Sequence, residues 1–168
     1  NLLNLQIKIA NVESIFAESA LTSNHIEMPH GSYQEESMQA TIVPNRNMLF
    51  ISHAIAYAIS KNIQRVWYGA HAGDHFIYPD CRPEFLSAMN SVAQKCHTFP
   101  INIEAPFLNF SKAEILNLGL ELGLDYSKTW TCYEGKDLAC GKCGSCNERL
   151  EAFTLNNFID PLQYSEKN

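Results

Sequence analysis

Four of the chain's six cysteines, Cys132, Cys140, Cys143 and Cys146, follow one another as C-x7-C-x2-C-x2-C. A C-x2-C step lets one tight loop aim two sulfurs at a single point, and four thiolates close a tetrahedral zinc site. Gly141 and Gly144 come directly after cysteines, where such loops turn through positive φ. Lys142 adds a cation beside the thiolates. Three readings compete for this loop, 132–146. Zinc is the first. An iron–sulfur cluster is the second, but the bacterial ferredoxin run ends in a cysteine followed by proline. Here the outlying cysteine lies upstream, and Asn147 follows Cys146. Disulfides or free thiols are the third, and disulfides belong chiefly to small secreted chains. The spacing favours zinc, in a structural role.

The 168 residues suit one domain, 1–168. A domain of this size buries roughly 70% of the surface its unfolded chain exposes, so it needs no disulfides to fold. The net charge of −6 argues against nucleic-acid binding through overall charge, which needs a basic face. No run of eighteen apolar residues occurs, so no membrane-spanning helix is expected. No signal peptide is recognisable, and free thiols fit a reducing cytoplasm. The first residue is Asn1 rather than Met, which fits a chain that begins inside something longer.

Along the chain, residues 5–9 alternate apolar and polar as a half-buried strand does. A short turn or helix follows, to about Phe16. Residues 23–41 read as a polar loop with Pro29 and Gly31. Asn47 is the expected N-cap of a helix over 48–59, apolar almost all round and therefore expected to be well buried. His53 within it reads as a core histidine with one hydrogen bond. Residues 63–68 read as a strand ending at Gly69. The Gly69-Ala70-His71-Ala72-Gly73-Asp74-His75 loop then stands where open α/β sheets bind ligands, or is a plain polar turn. Residues 84–95 form a helix, and 101–106 a short strand ended by Pro106. Ser111 and Glu114 match a capping box. A last helix runs over 146–153, and the tail from Pro161 reads as frayed.

Asp80 and Arg82 flank Cys81 close to Tyr78. A carboxylate and a guanidinium converging on a planar heterocycle would read its donor–acceptor edge. The alternative is a surface ion pair of little consequence. Cys81 and Cys96 read as small buried residues rather than nucleophiles.

Five segments together resemble the 7-cyano-7-deazaguanine synthases, over roughly residues 4–158. They are Val43-Pro44-Asn45-Arg46-Asn47, the glycine–histidine–aspartate loop 69–75, Tyr78-Pro79-Asp80-Cys81-Arg82, Lys112-Ala113-Glu114, and Thr131-Cys132-Tyr133 with the cysteine cluster. The resemblance implies an adenine-nucleotide α-hydrolase-like α/β fold, a parallel sheet flanked by helices. It implies an ATP-dependent ligase, using ATP with Mg²⁺, that converts 7-carboxy-7-deazaguanine and ammonia to the nitrile on the way to queuosine. It also implies zinc on Cys132, Cys140, Cys143 and Cys146, and a homodimer. From the chemistry such a reaction needs, we infer that Asn45, Arg46, His71, Asp74, Tyr78, Asp80 and Arg82 bind substrate, and that Arg46 and Lys112 serve catalysis at phosphate or carboxylate groups. Nucleic acid and membrane are not expected as direct partners.

One departure stands out. The family's ATP site opens with a strand and a Ser-Gly-Gly-x-Asp-Ser loop whose backbone amides cradle pyrophosphate. No such run occurs in the sequence. The domain is therefore expected to be incomplete at its N-terminal side, or the chain to be a zinc-bearing nucleotide- or deazaguanine-binding module, or a synthase relative, without its own phosphate loop.

Overall fold

The computed structural model describes residues 6–12, 19–32 and 36–165. Helices and strands run in the order α1 (Arg46–Ser60), β1 (Arg65–Trp67), α2 (Pro83–Ala93), β2 (Asn102–Glu104), α3 (Lys112–Glu121) and α4 (Gly144–Leu155), with short 3-10 turns between them. β1 and β2 pair in parallel, Val66 opposite Ile103. Parallel neighbours need a crossover, and α2 supplies it. Ile51, Ile55 and Ala58 of α1 meet Val66, Ile103, Met89 and Ala93 in one buried cluster. This is a helix-flanked parallel sheet, as the sequence led us to expect.

The free edge of β2 is closed by a side chain. Asn102 N–H and Glu104 C=O face β1, bonding Gln64 and Tyr68. The N–H and C=O of Ile103 therefore point the other way, and the Asn90 amide from α2 meets both at 2.7 Å. An exposed strand edge invites pairing with another chain, and this bidentate amide blunts it.

α3 opens on the expected capping box: Ser111 Oγ accepts from Glu114 N–H, while the Glu114 carboxylate accepts from Ser111 N–H at 2.7 Å. Leu116 of α3 packs against Ala152 and Phe153 of α4. Gly141 turns at φ 78°, but Gly144 does not need positive φ, because it is the first residue of α4.

Several expectations fail for visible reasons. Residues 6–10 form neither helix nor strand, and Ile7 and Ile9 are exposed, so among the described residues their alternation finds no strand to pair with; Leu5 and most of the expected turn, 13–18, lie outside the described residues. The end of the 23–41 loop is a 3-10 turn, Glu36–Thr41, that buries Met38 and Thr41 completely. Asn47 does not cap α1. Asn45 does, in the left-handed conformation at φ 59° and without a side-chain bond. α1 is buried on one side only, leaving Met48, Phe50 and Tyr57 exposed. His53 is exposed too, its Nδ1 2.9 Å from Leu49 O. Cys81 is buried as expected, but Cys96 is exposed.

The tail is not frayed over its described part. Arg149 of α4 grips Asp160 through Nε at 2.5 Å and Nη2 at 2.9 Å, and donates to Thr129 Oγ1 and Tyr126 O. Both partners are almost wholly buried, at 5% and 2% side-chain exposure. Beyond this clasp, Ala139 N–H donates to Gln163 O and Ser165 N–H to Ala139 O. Tyr164 thereby packs against the cysteine cluster. Among the described residues no helix is long and apolar enough to cross a membrane.

Candidate functional site

Two features converge beyond the C-terminal end of β1. The first is the cysteine loop. The sulfurs of Cys132, Cys140, Cys143 and Cys146 are buried and lie within 4.8 Å of one another. Tetrahedral zinc with Zn–S near 2.3 Å sets sulfurs about 3.8 Å apart, and Cys140 Sγ and Cys146 Sγ are 4.0 Å apart. Backbone N–H groups of Cys140 and Cys143 donate to sulfur at 3.3 and 3.2 Å, as suits thiolate ligands. The hydrogen bond from Cys146, against burial, lowers the pKa of the Cys143 thiol. The donor set fits a metal ion, and its closed four-sulfur geometry suits a structural rather than a catalytic one.

The second feature is a cleft of about 470 Å³ at the end of β1. It is lined by Val66 to Ala70, by Arg46, Asn47 and Phe50 of α1, and by Asp74, Tyr78, Cys81 and Tyr133. Aromatic faces and a few charged groups in one concave space are what a planar heterocycle needs. The cysteine loop reaches this cleft through Tyr133, next to Cys132. Thr41 Oγ1 donates to Met38 O, so the Tyr78 hydroxyl donates to Thr41 at 2.7 Å and takes a bond from Tyr133 at 3.3 Å. The Arg46 guanidinium stands 6.0 Å from the Tyr78 ring centroid.

The expected site residues divide accordingly. Arg46, Asp74 and Tyr78 line the cleft. Asp80 stands just behind it and accepts the Asn47 N–H at 3.1 Å, so a carboxylate from residue 80 serves the first turn of α1 and its helix dipole. Arg82 is turned back toward the preceding 3-10 turn and donates to His75 O. Asn45 precedes α1 without lining the cleft.

His71 and Lys112 belong to a neighbouring polar cluster. His71 Nδ1 accepts from Gly73 N–H at 3.1 Å, and its Nε2 is 3.6 Å from Asp74 Oδ2. Burial lowers the pKa of His71, which favours the neutral ring. Lys112 Nζ is 2.5 Å from Glu148 Oε2. A Cβ on Gly73 would lie 2.5 Å from Glu148 Oε1 and 2.9 Å from the His71 ring, so a larger residue there would displace the Glu148 carboxylate or the imidazole. Sequence reasoning missed Glu148, Tyr133 and Tyr68. Tyr133 had a signal, its place beside a cysteine ligand; Glu148 reads in sequence as an ordinary surface charge.

A helix-flanked parallel sheet with a cleft at its strand ends, and beside it four cysteines that could hold a metal ion, is an arrangement that suits a small-molecule enzyme of the α/β class. Sequence comparison makes the assignment narrower. A family model described as "Queuosine biosynthesis protein QueC" matches residues 1–157. The chain is 54% identical to 7-cyano-7-deazaguanine synthase 2 of Colwellia psychrerythraea, over 98% of this chain and 77% of that one. It is 55% identical to the 7-cyano-7-deazaguanine synthase of Marinobacter nauticus, over 94% and 71%, and 52% identical to that of Pseudoalteromonas translucida, over 94% and 72%. The chain belongs to the QueC family of queuosine biosynthesis proteins.

Proposed function

We propose that this protein is an ATP-dependent ligase that makes 7-cyano-7-deazaguanine from 7-carboxy-7-deazaguanine and ammonia. Family membership at this identity supports the reaction, and the cleft supports the substrate: a space lined by aromatic rings together with a cation, Arg46, and a carboxylate, Asp74.

A carboxylate is a poor electrophile for ammonia. Attack of its oxygen on the α-phosphorus of ATP releases pyrophosphate and leaves an acyl adenylate. Ammonia then displaces AMP to give the amide. A second adenylation, on the amide oxygen, lets AMP and a proton leave as the nitrile forms. The protein contributes positioning and charge stabilisation more than covalent chemistry.

In this reading Asp74 accepts N–H donors of the deazaguanine, with Tyr78 and Tyr133 against the ring. Arg46 holds the 7-carboxylate, and Lys112, positioned by Glu148, meets phosphate charge together with Mg²⁺. Asn45, Asp80 and Arg82 shape the wall, Asp80 by fixing the start of α1; His71 orients Asp74. Zinc on the four cysteines holds Tyr133 in place. The 168 residues contain no Ser-Gly-Gly-x-Asp-Ser run, so the pyrophosphate cradle is assigned to a segment or chain outside them. We place the enzyme in the cytoplasm, as a homodimer.

The role of Arg46 gives a test by calorimetry. Arg46→Ala should weaken 7-carboxy-7-deazaguanine binding roughly tenfold to hundredfold, the loss of one charged hydrogen bond. It should leave 7-deazaguanine, which lacks the carboxylate, bound as before. Equal affinities of wild type and variant for the acid would remove Arg46 from the site.

A further inference from the structure

Among the described apolar side chains, Tyr133 alone packs against both the cysteine cluster and the buried cluster of Met38, Ala70, Ile77, Tyr78 and Cys81. Ala70, Tyr78 and Cys81 line the cleft, and so does Tyr133 itself. Hydrogen bonds tie it in both directions. Its hydroxyl meets that of Tyr78 at 3.3 Å. Its backbone N–H donates to Cys143 Sγ, and Cys132, one residue before it, supplies another of the four sulfurs.

The segment around Tyr133 is pinned on each flank. Trp130 Nε1 donates to Cys132 O at 3.0 Å. The Glu134 carboxylate meets Lys136 Nζ at 2.8 Å and His30 Nε2 at 3.2 Å, and His30 is bridged to Cys143 through the backbone. A residue on so short and tethered a segment has little freedom of its own. While the four sulfurs stay together, the ring stays at the cleft. Parting Cys132 or Cys143 from the others moves the backbone of Tyr133, and the ring with it.

We propose that Tyr133 couples the two sites: a deazaguanine seated against its ring holds the cysteine loop closed, so that an occupied cleft slows the loss of zinc from the four sulfurs. The inference rests on the functional reading above and adds a regulation of that same site. The two states are the closed loop with the ring at the cleft and the opened loop with the ring withdrawn. The ligand touches the ring only in the first, so it favours that state by the free energy of the contact. Linkage makes the effect reciprocal: the closed loop binds the ligand more tightly by the same factor.

The experiment uses the zinc-loaded, full natural chain. Calorimetry gives its affinity for 7-carboxy-7-deazaguanine, and a chromogenic chelator follows zinc release. Saturating acid should slow release about tenfold in wild type. In Tyr133→Leu, which keeps an apolar side chain in place, acid at a concentration saturating for the variant should slow release by less than about twofold. Unchanged release in wild type that binds the acid overturns the inference. Equal slowing in wild type and variant also overturns it, because any ligand that binds only the folded chain stabilises it in that general way. Should the variant fail to carry its zinc, wild type loaded with Co²⁺ decides alone: absorption bands of the cobalt–thiolate site that move when the acid binds sustain the coupling, and bands that stay put overturn it. Wild-type protein that does not bind the acid at all overturns the functional reading itself, and this inference with it.

Discussion

Cys143→Ser is expected to yield insoluble protein, not soluble inactive protein. Cys143 is completely buried. Its sulfur is one of four that converge, its N–H donates to Cys140 Sγ, and its carbonyl accepts from Asn147 at the start of α4. A serine hydroxyl is a far weaker ligand than a thiolate, and three sulfurs do not close the tetrahedron. Structural zinc contributes folding free energy on the order of 10 kcal/mol in small domains. A whole domain is stable by only about 5–15 kcal/mol, so the loss is comparable with everything the chain has. Wild-type protein purified without added metal should carry one equivalent of zinc by elemental analysis. A variant that stays soluble with a native melting temperature, or an iron–sulfur absorption band in the wild type, would refute the metal assignment.

The second large effect is expected at the tail clasp. Arg149→Met should lower stability by about 3–5 kcal/mol, because it strands the buried Asp160 carboxylate without its cation. Thr129 Oγ1 and Tyr126 O lose a donor as well. In a domain of this size the loss corresponds to a fall in melting temperature of about 10 °C. Asp160 would retain only the Tyr164 hydroxyl and the Leu162 N–H. The tail would loosen first, and with it the cover that Tyr164 gives the cysteine cluster. A double variant, Arg149→Met with Asp160→Leu, should recover much of the loss, since it removes both charges together. Thermal denaturation followed by circular dichroism decides the matter: a fall of less than about 2 °C for the single variant would mean that the clasp is idle.

Those two sites also mark where sequence reading succeeds and where it stops. The cysteine loop was legible because its chemistry is written in local spacing. The same holds for the capping box at Ser111 and Glu114, and for the βα loop after Gly69, whose turn residues lie next to one another in the chain. The start of α1 was misread because its first-turn amide is served by Asp80, which is 33 residues away from Asn47. Local pattern carries no trace of such a partner. The tail was called frayed for the same reason: Pro161 and its polar neighbours look unstructured until Arg149 reaches Asp160. The apolar alternation at 5–9 pointed to a strand, but alternation only creates a face, and a strand exists when a neighbour pairs with it. The cleft was half legible. Arg46, Asp74 and Tyr78 were identified by the motifs they stand in. Tyr68 escaped, since an apolar strand end predicts burial and says nothing of a place in a cleft.

The most direct measurement of the central claim is product formation. Zinc-loaded protein, expressed with whatever its gene encodes before Asn1, should be incubated with 7-carboxy-7-deazaguanine, ammonium and Mg-ATP, and the mixture resolved by mass spectrometry. The expected result is the nitrile, with the amide as a transient species and two AMP released for each nitrile formed. Accumulation of neither amide nor nitrile, by protein that demonstrably binds the acid and carries its metal, would contradict the account.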